Sequence, residues 1–477
     1  MTRFNLQPNP QNPLRKRSIR HGLLGKMALL PLVAATYFMV CGGAYGIEDI
    51  LGGAGYGVAI LILLVMPFLW SLPTALMVGE LASALPVDGG FYVWVRRAMG
   101  PFWGYQEGWL SLSASIFDMA IYPAIFVLYL GKFVPFLPPQ IVSHLGAFNP
   151  SLTNGWGHYG WALLVVVICT AWNLLGAPSV GHGAEIFFVL LIAPFVALTA
   201  LGFWHGYHLH TAVQWGEMHT SAGIALAIQV AMWNYMGWDN AATVAGEVEN
   251  PQRNYPRAMI WSTLLVAVSY LFPLCAMAVA GITPASFSTG DWTDVAALLG
   301  GSLLGLAMIA GGVINGFGMF NALVLSYTRL PMAMAEDGML PGIFALRNRR
   351  DVPWVSVLLC GAAWAAALSL NFEKLISIDL VLYGSSLLLE FVALAVLRVR
   401  EPELKRPFKA GNLAVASLLG VAPLLLIVFA LWAARAEKIG SISALGLAAV
   451  VALLGPVLYW LTASPRWFGR SGAQTPQ

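Results

Sequence analysis

About twelve apolar runs, each near the roughly 20 residues that a helix needs to cross a bilayer, follow one another along this chain. They fall at roughly 27–51, 57–84, 101–131, 158–176, 183–204, 223–247, 258–282, 298–328, 354–371, 375–397, 411–433 and 440–462. No loop between them is long enough to fold as a separate soluble domain. The composition agrees, with 58% apolar and only 10% charged residues over 477 positions. The expected fold class is therefore an all-α polytopic membrane protein.

Charge sets the orientation. Placing the amino terminus inside assigns 21 of the 25 lysines and arginines to cytosolic segments. Lys132, Lys374, Arg435 and Lys438 are the exceptions. Positive residues accumulate on the cytosolic side of membrane proteins, so both termini are expected in the cytosol of a cell-membrane protein. The basic segment 1–26 has no signal-peptide core and reads as a cytosolic tail, as does 463–477. The four cysteines lie in apolar runs without metal or disulfide spacing.

Two runs are interrupted. The sixth contains Trp233-Asn234-Tyr235-Met236-Gly237-Trp238-Asp239-Asn240, and the first contains Cys41-Gly42-Gly43-Ala44-Tyr45-Gly46-Ile47-Glu48-Asp49. Lipid cannot satisfy open backbone, so such interruptions survive only against protein or a wet cavity. Paired broken helices, one opening each half of a chain, are how many inverted-repeat transporters build a midplane site. This predicts a first repeat over 27–204, a second over 220–397 and two further helices over 411–462. The competing reading of the glycine pair is a small-residue packing face, which leaves Glu48 and Asp49 unexplained.

Acids inside spans mark sites or relays by default, because burying them is costly. Asp239 at the sixth-run break and Asp118, with Tyr122-Pro123 one turn on, are the leading candidates. Glu80, Glu107, Glu185 and Glu390 lie nearer span ends, where water, helix termini or arginines are expected to satisfy them. Asn315, Ser326 and Thr328 could ligate sodium or simply join helices. No nucleotide-binding loop, metal-ligand cluster or nucleophile–base pair is present, and the eight histidines sit at span ends and loops. Neither an enzyme nor a nucleic-acid-binding protein is expected, and no cofactor or partner subunit is implied.

Several motifs now acquire a common meaning. Gly89-Gly90-Phe91-Tyr92-Val93-Trp94 with Gly100-Pro101-Phe102-Trp103-Gly104, Gly246-Glu247 through Asn250-Pro251 to Pro256, and Ala335-Glu336-Asp337-Gly338 through Pro341 resemble the amino acid–polyamine–organocation superfamily, in order and over the whole chain. The polyamine-uptake permeases are the nearest likeness. Their first-span pattern resembles Gly42 to Asp49, their third resembles Gly100 to Trp109 with Asp118, and their sixth resembles Trp238-Asp239 with Val244 to Pro251. The fifth span lacks the lysine that some amino-acid members carry there.

The resemblance implies five-plus-five inverted repeats with discontinuous helices 1 and 6, and proton-driven uptake of polyamines or related amines. An amino acid permease or exchanger of the same fold is the alternative, and a non-transporting sensor is the alternative from another class. The expected substrate-binding residues are Gly42, Gly43, Tyr45, Glu48, Asp118, Trp233, Tyr235, Trp238 and Asp239. Asp239 and Glu48 are the expected proton-coupling groups. Aromatic faces suit an ammonium, while Glu48 and Asp49 at a half-helix start should repel a substrate carboxylate.

Overall fold

The computed structural model describes residues 26–151, 156–213, 215, 220–284, 287–368, 375–435, 438–439 and 442–462. The expected tails, 1–26 and 463–477, lie outside these residues except for Lys26. The first run is split as anticipated, into α1 (Leu29–Val40) and the start of α2 (Glu48–Met66). Gly43 and Gly46 adopt φ of 81° and 89° between them, a region that side-chain-bearing residues rarely enter. Gly55, at φ 64°, then turns the chain back. The outer half of the first span is thus only residues 48–54. The rest of α2, a π-helical turn over Pro67–Ser71 and α3 (Leu72–Ala84) form the second span.

An amphipathic helix, α4 (Gly90–Met99), leads into the 31-residue α5 (Pro101–Gly131). The short α6 (Pro139–Leu145) precedes α7 (Trp156–Asn173) and α8 (Ala177–Leu209). The sixth span begins as α9 (Ser221–Asn234), capped by the Thr220 hydroxyl. It breaks at Gly237 (φ 92°) and resumes as 3-10 turns over Trp238–Thr243 and Ala245–Glu247. Next come α10 (Pro251–Val279), α11 (Trp292–Tyr327), α12 (Arg329–Glu336), α13 (Trp354–Ala367) and α14 (Leu375–Arg400). The chain closes with α15 (Leu413–Leu418), α16 (Val421–Ala434), two short antiparallel strands at 438–439 and 442–443, and α17 (Ala444–Thr462).

Eight of the twelve expected spans hold a helix long and apolar enough to cross a membrane. The first, fourth, sixth and ninth are carried by α1, α7, α9 and α13. In lipid, helix association depends on close packing more than on apolar burial, and the α5–α11 contact shows how. A Cβ at Gly316 would lie 2.6 Å from the Tyr122 carbonyl oxygen, and one at Gly312 would enter the Tyr129 ring. Glycine at both positions lets α11 press against α5, on its backbone at Gly316 and on the Tyr129 ring at Gly312. Their contact, with α14 packed on the other side of α5, sets the walls of the site.

Candidate substrate and ion site

The two broken spans lie side by side. The Asn234 side chain donates to the Gly46 carbonyl at 3.3 Å, and Gly237 packs on the Met39 carbonyl so closely that a Cβ would clash. Backbone freed at one break is therefore partly satisfied by the other, as an intramembrane interruption requires. Gly42 approaches Asn315 on α11, leaving no room for a methyl group, and Gly43 faces Leu191 and Phe195 on α8. Tyr45 donates to the Met308 carbonyl at 2.7 Å and sets its ring edge-on to Tyr129 and Phe195.

Glu48 is fully buried, and its carboxylate is occupied. Oε2 accepts from the Gly46 N–H at 2.6 Å, while Oε1 accepts from the Tyr129 hydroxyl at 3.0 Å and the Gly290 N–H at 3.1 Å. Asp49 beside it accepts from the Thr289 backbone and hydroxyl. Both acids thus clasp the start of α2 to the loop before α11, and Glu48 takes up a backbone N–H of the break from within the chain.

Asp118 sits in a different place. Its Oδ1 accepts from the Tyr122 hydroxyl at 2.6 Å and its Oδ2 from the Tyr327 hydroxyl at 3.3 Å. The Trp233 indole N–H faces it without closing a hydrogen bond, and the ring stacks on Tyr122 at 6.1 Å and 21°. Asp379 on α14 lies within electrostatic reach of Asp118, fully buried with neither carboxyl oxygen hydrogen-bonded among the described residues. Two buried carboxyl groups thus meet among the rings of Tyr122, Trp233 and Tyr327. A bound cation would offset the cost of charging both buried carboxyl groups, and π-faces of this kind suit an ammonium.

Asp239 forms a further group nearer the end of the bundle that carries Arg96, Arg97, Arg398 and Arg400. Tyr383 donates to its Oδ1 at 2.5 Å and accepts the Gly237 N–H at 3.0 Å. Glu107 on α5 and Glu390 on α14 are its electrostatic neighbours. The arginines expected for these two glutamates do not reach them among the described residues. Both are fully buried. Glu107 keeps only the Ser111 hydroxyl on one oxygen, and neither oxygen of Glu390 has a partner. The expectation does hold for Glu80, which binds Arg398, Arg406 and the Ala410 N–H, and for Glu185 beside His182.

The structure brings Trp233 to Asp118 but sends the other expected aromatics elsewhere. Tyr235 donates to the Leu63 carbonyl at 3.0 Å, and the Trp238 indole donates to the Tyr235 carbonyl at 2.8 Å. Of the sodium candidates, Ser326 bonds Asn240 and Thr243, and Thr328 bonds the Val324 carbonyl. Asn315 alone leaves its Oδ1 unpartnered. Asp379 is the site residue that inspection of the sequence passed over. Its spacing from Tyr383 and Glu390, four and eleven residues, would have put all three on one helical face.

Comparison with known proteins fixes what this bundle is. Residues 33–462 match the family described as amino acid permease. The chain belongs to that family. It is 33% identical over 427 residues to the polyamine transporter RMV1 of Arabidopsis thaliana, covering 89% of this chain and 83% of that protein. It is 32% identical over 461 residues to the polyamine transporter PUT1 of Oryza sativa subsp. japonica, covering 92% and 80%. It is 25% identical over 404 residues to the serine/threonine exchanger SteT of Bacillus subtilis, covering 82% and 85%. This permease is thus a multi-pass secondary transporter and not an enzyme.

Several contacts tie the elements of the permease together at its arginine-rich end. Met27 exchanges backbone hydrogen bonds with Glu247 and Glu249, both at 2.9 Å, pinning the start of α1 to the exit of the sixth span. Asp88 accepts from the Gly246 N–H at 2.9 Å, and fully buried Arg329 pairs with Glu247 at 2.9 Å. Burial, then repulsion from Glu247, push the Asp88 carboxyl up to about 7, with Arg347 and Arg329 opposing. A partly open cavity of about 340 Å³ lies beside these contacts, lined among others by Lys26, Asp88, Ser179, Glu247, Arg347 and Arg350.

Proposed function

We propose that this permease takes up polyamines or related cationic amines, driven by protons, across the cell membrane. The arginine-rich end and both termini face the cytosol, and residues 27–204 and 220–397 form the two inverted repeats. An ammonium group binds between Asp118 and Asp379, against Trp233, Tyr122 and Tyr327, while Gly42, Gly43 and Tyr45 shape the neighbouring wall. The observation that carries this reading is the pair of buried carboxyl groups, Asp118 and Asp379, beside the stacked rings of Trp233 and Tyr122. The named activities of the plant relatives agree with it.

The rival substrate, a zwitterionic amino acid, is disfavoured by one hydrogen bond. In amino-acid members the backbone N–H groups of the first break receive the substrate carboxylate, as helix N-termini do. Here the Glu48 carboxylate takes the Gly46 N–H. A second carboxylate arriving there would meet a like charge, whereas an amine without a carboxylate would not.

The test is uptake of radiolabelled putrescine, spermidine and a panel of amino acids into proteoliposomes, with and without an inward proton gradient. Gradient-stimulated amine flux, uncompeted by amino acids, is the expected result. Amino-acid flux insensitive to amines would overturn the substrate, and specific binding without any flux would favour a sensor.

A further inference from the structure

Asp118 and Asp379 are not the last acids on their helices. Eleven residues toward the arginine-rich end, roughly 16 Å at the helical rise, α5 carries Glu107 and α14 carries Glu390. Eleven residues is close to three full turns, so the second pair lies on the same faces as the first. Asp239 reaches into this second group from the sixth-span break. Tyr327 lies within electrostatic reach of Asp118, Asp379 and Asp239, and Tyr383 within reach of Asp239 and Glu390. The two groups therefore form one polar seam through an otherwise apolar bundle.

Among the described residues, no lysine or arginine pairs with Glu107, Asp239 or Glu390. The arginines at that end are engaged: Arg398 and Arg406 with Glu80, Arg97 with Glu401, Arg96 with Asp337, Arg329 with Glu247. Arg400 donates to the Ala98 carbonyl. Of the other helices packed on α5 and α14, α7 carries His158, Tyr159 and Cys169, α13 Cys360, α11 Asp294 and Tyr327, α12 Arg329 and Glu336, and α3 Glu80. Helices α9, α15 and α16 carry no ionisable residue, α17 carries only Tyr459, and α4 adds only Tyr92 to its arginines. Glu390 has two fully buried oxygens and Glu107 one with nothing to bind. Three buried carboxyl groups within electrostatic reach of one another oppose one another's ionisation.

Resting on the transport reading above, we propose that Glu107, Asp239 and Glu390 together form the proton site of the cycle, separate from the amine site at Asp118 and Asp379. A carboxylate oxygen of the trio takes the entering proton as an O–H, cancelling one negative charge. The same oxygen returns it to cytosolic water when the arginine-rich end opens. The trio differs from the pair in its third acid and in the indole beside it: the Trp70 ring lies tilted at 49° to Tyr383, whereas Trp233 stacks on Tyr122 beside Asp118. The Tyr383 hydroxyl, shared between the Gly237 N–H and Asp239, ties the trio's protonation to the geometry of the break.

The experiment reads accumulation and exchange separately in proteoliposomes. Glu390→Gln and Glu107→Gln should each lose gradient-driven putrescine accumulation by about tenfold or more, in the range of a typical coupling term. Putrescine counterflow without a gradient should remain. Glu390→Asp should restore part of the accumulation. On the unaltered protein, dicyclohexylcarbodiimide, which adds to protonated carboxyl groups in apolar surroundings, should label at least one of the three, with labelling falling as pH rises. Labelling confined to other residues overturns the proposal without relying on any variant. Unchanged gradient dependence in both glutamine variants, or a selective loss of affinity for longer polyamines, also overturns it, the latter by pointing to a second ammonium site. A wild-type protein whose amine flux ignores the gradient would overturn the transport reading itself.

Discussion

Asp118→Asn removes one of two charges that hold the amine. In the resting structure Asp118 accepts from Tyr122 and Tyr327, and an asparagine oxygen can keep the closer of these bonds. The substitution therefore leaves the helices joined while deleting the ion pair. Truncating one member of a buried charge pair costs about 2–5 kcal/mol. The neighbouring Asp379 still offers a carboxylate to the same ammonium, so the lower part of that range applies. At about 2–3 kcal/mol, affinity falls roughly thirty- to a hundred-fold, since 1.4 kcal/mol is one decade. Asp379→Asn should give a similar loss, and the double variant should lose measurable binding. Equilibrium binding of labelled spermidine to purified protein, with size-exclusion profiles as the folding control, measures it. An Asp118→Asn affinity within about threefold of wild type would refute the ammonium site, because a charge pair worth under 1 kcal/mol is a solvated one.

Other perturbations separate the roles of neighbouring groups. Glu48→Gln leaves the Gly46 or Gly290 N–H without its acceptor, at about 1–3 kcal/mol for a buried unsatisfied donor. Its melting temperature in detergent should fall while spermidine affinity drops less than in Asp118→Asn. Gly42→Ala drives a methyl into Asn315, so uptake should be lost and partly recovered in the double variant with Asn315→Ala. Asp88, raised from 3.8 to about 7 where it is buried, holds its proton more tightly there than when released. The contacts around it gain from this below pH 3.8 and lose it as pH rises through 7. Labelling of a cysteine placed at Ser179 in the cavity should accordingly increase between pH 5 and 8, and Asp88→Asn should flatten that dependence.

Sequence reading succeeded where a residue type has few alternatives. Glycines with positive φ flanked by aromatics and acids can hardly continue a spanning helix, and Gly43, Gly46 and Gly237 did break both spans. Asp118 stood out because nothing basic lies near it in sequence. Asp379 did not, because it begins a span, and its importance depends on which way that helix turns. Glu107 and Glu390 were misjudged for a related reason. Distance from a span end was counted along the chain, while α4 and the paired arginines cover that depth in space. The short outer half of the first span and the 3-10 turns after Gly237 were equally hidden, since both depend on how neighbouring helices meet. Trp238 and Tyr235 donate to backbone carbonyls, a use of an aromatic that sequence does not tell apart from ligand binding.

The central claim concerns where the amine sits, and a cryo-EM map of the permease with bound spermidine tests it most directly. The account predicts density with a terminal nitrogen between the carboxyl groups of Asp118 and Asp379, lying on the face of Trp233. Density anchored instead on the backbone of the first break between Gly42 and Gly46, with both aspartates unengaged, would contradict it.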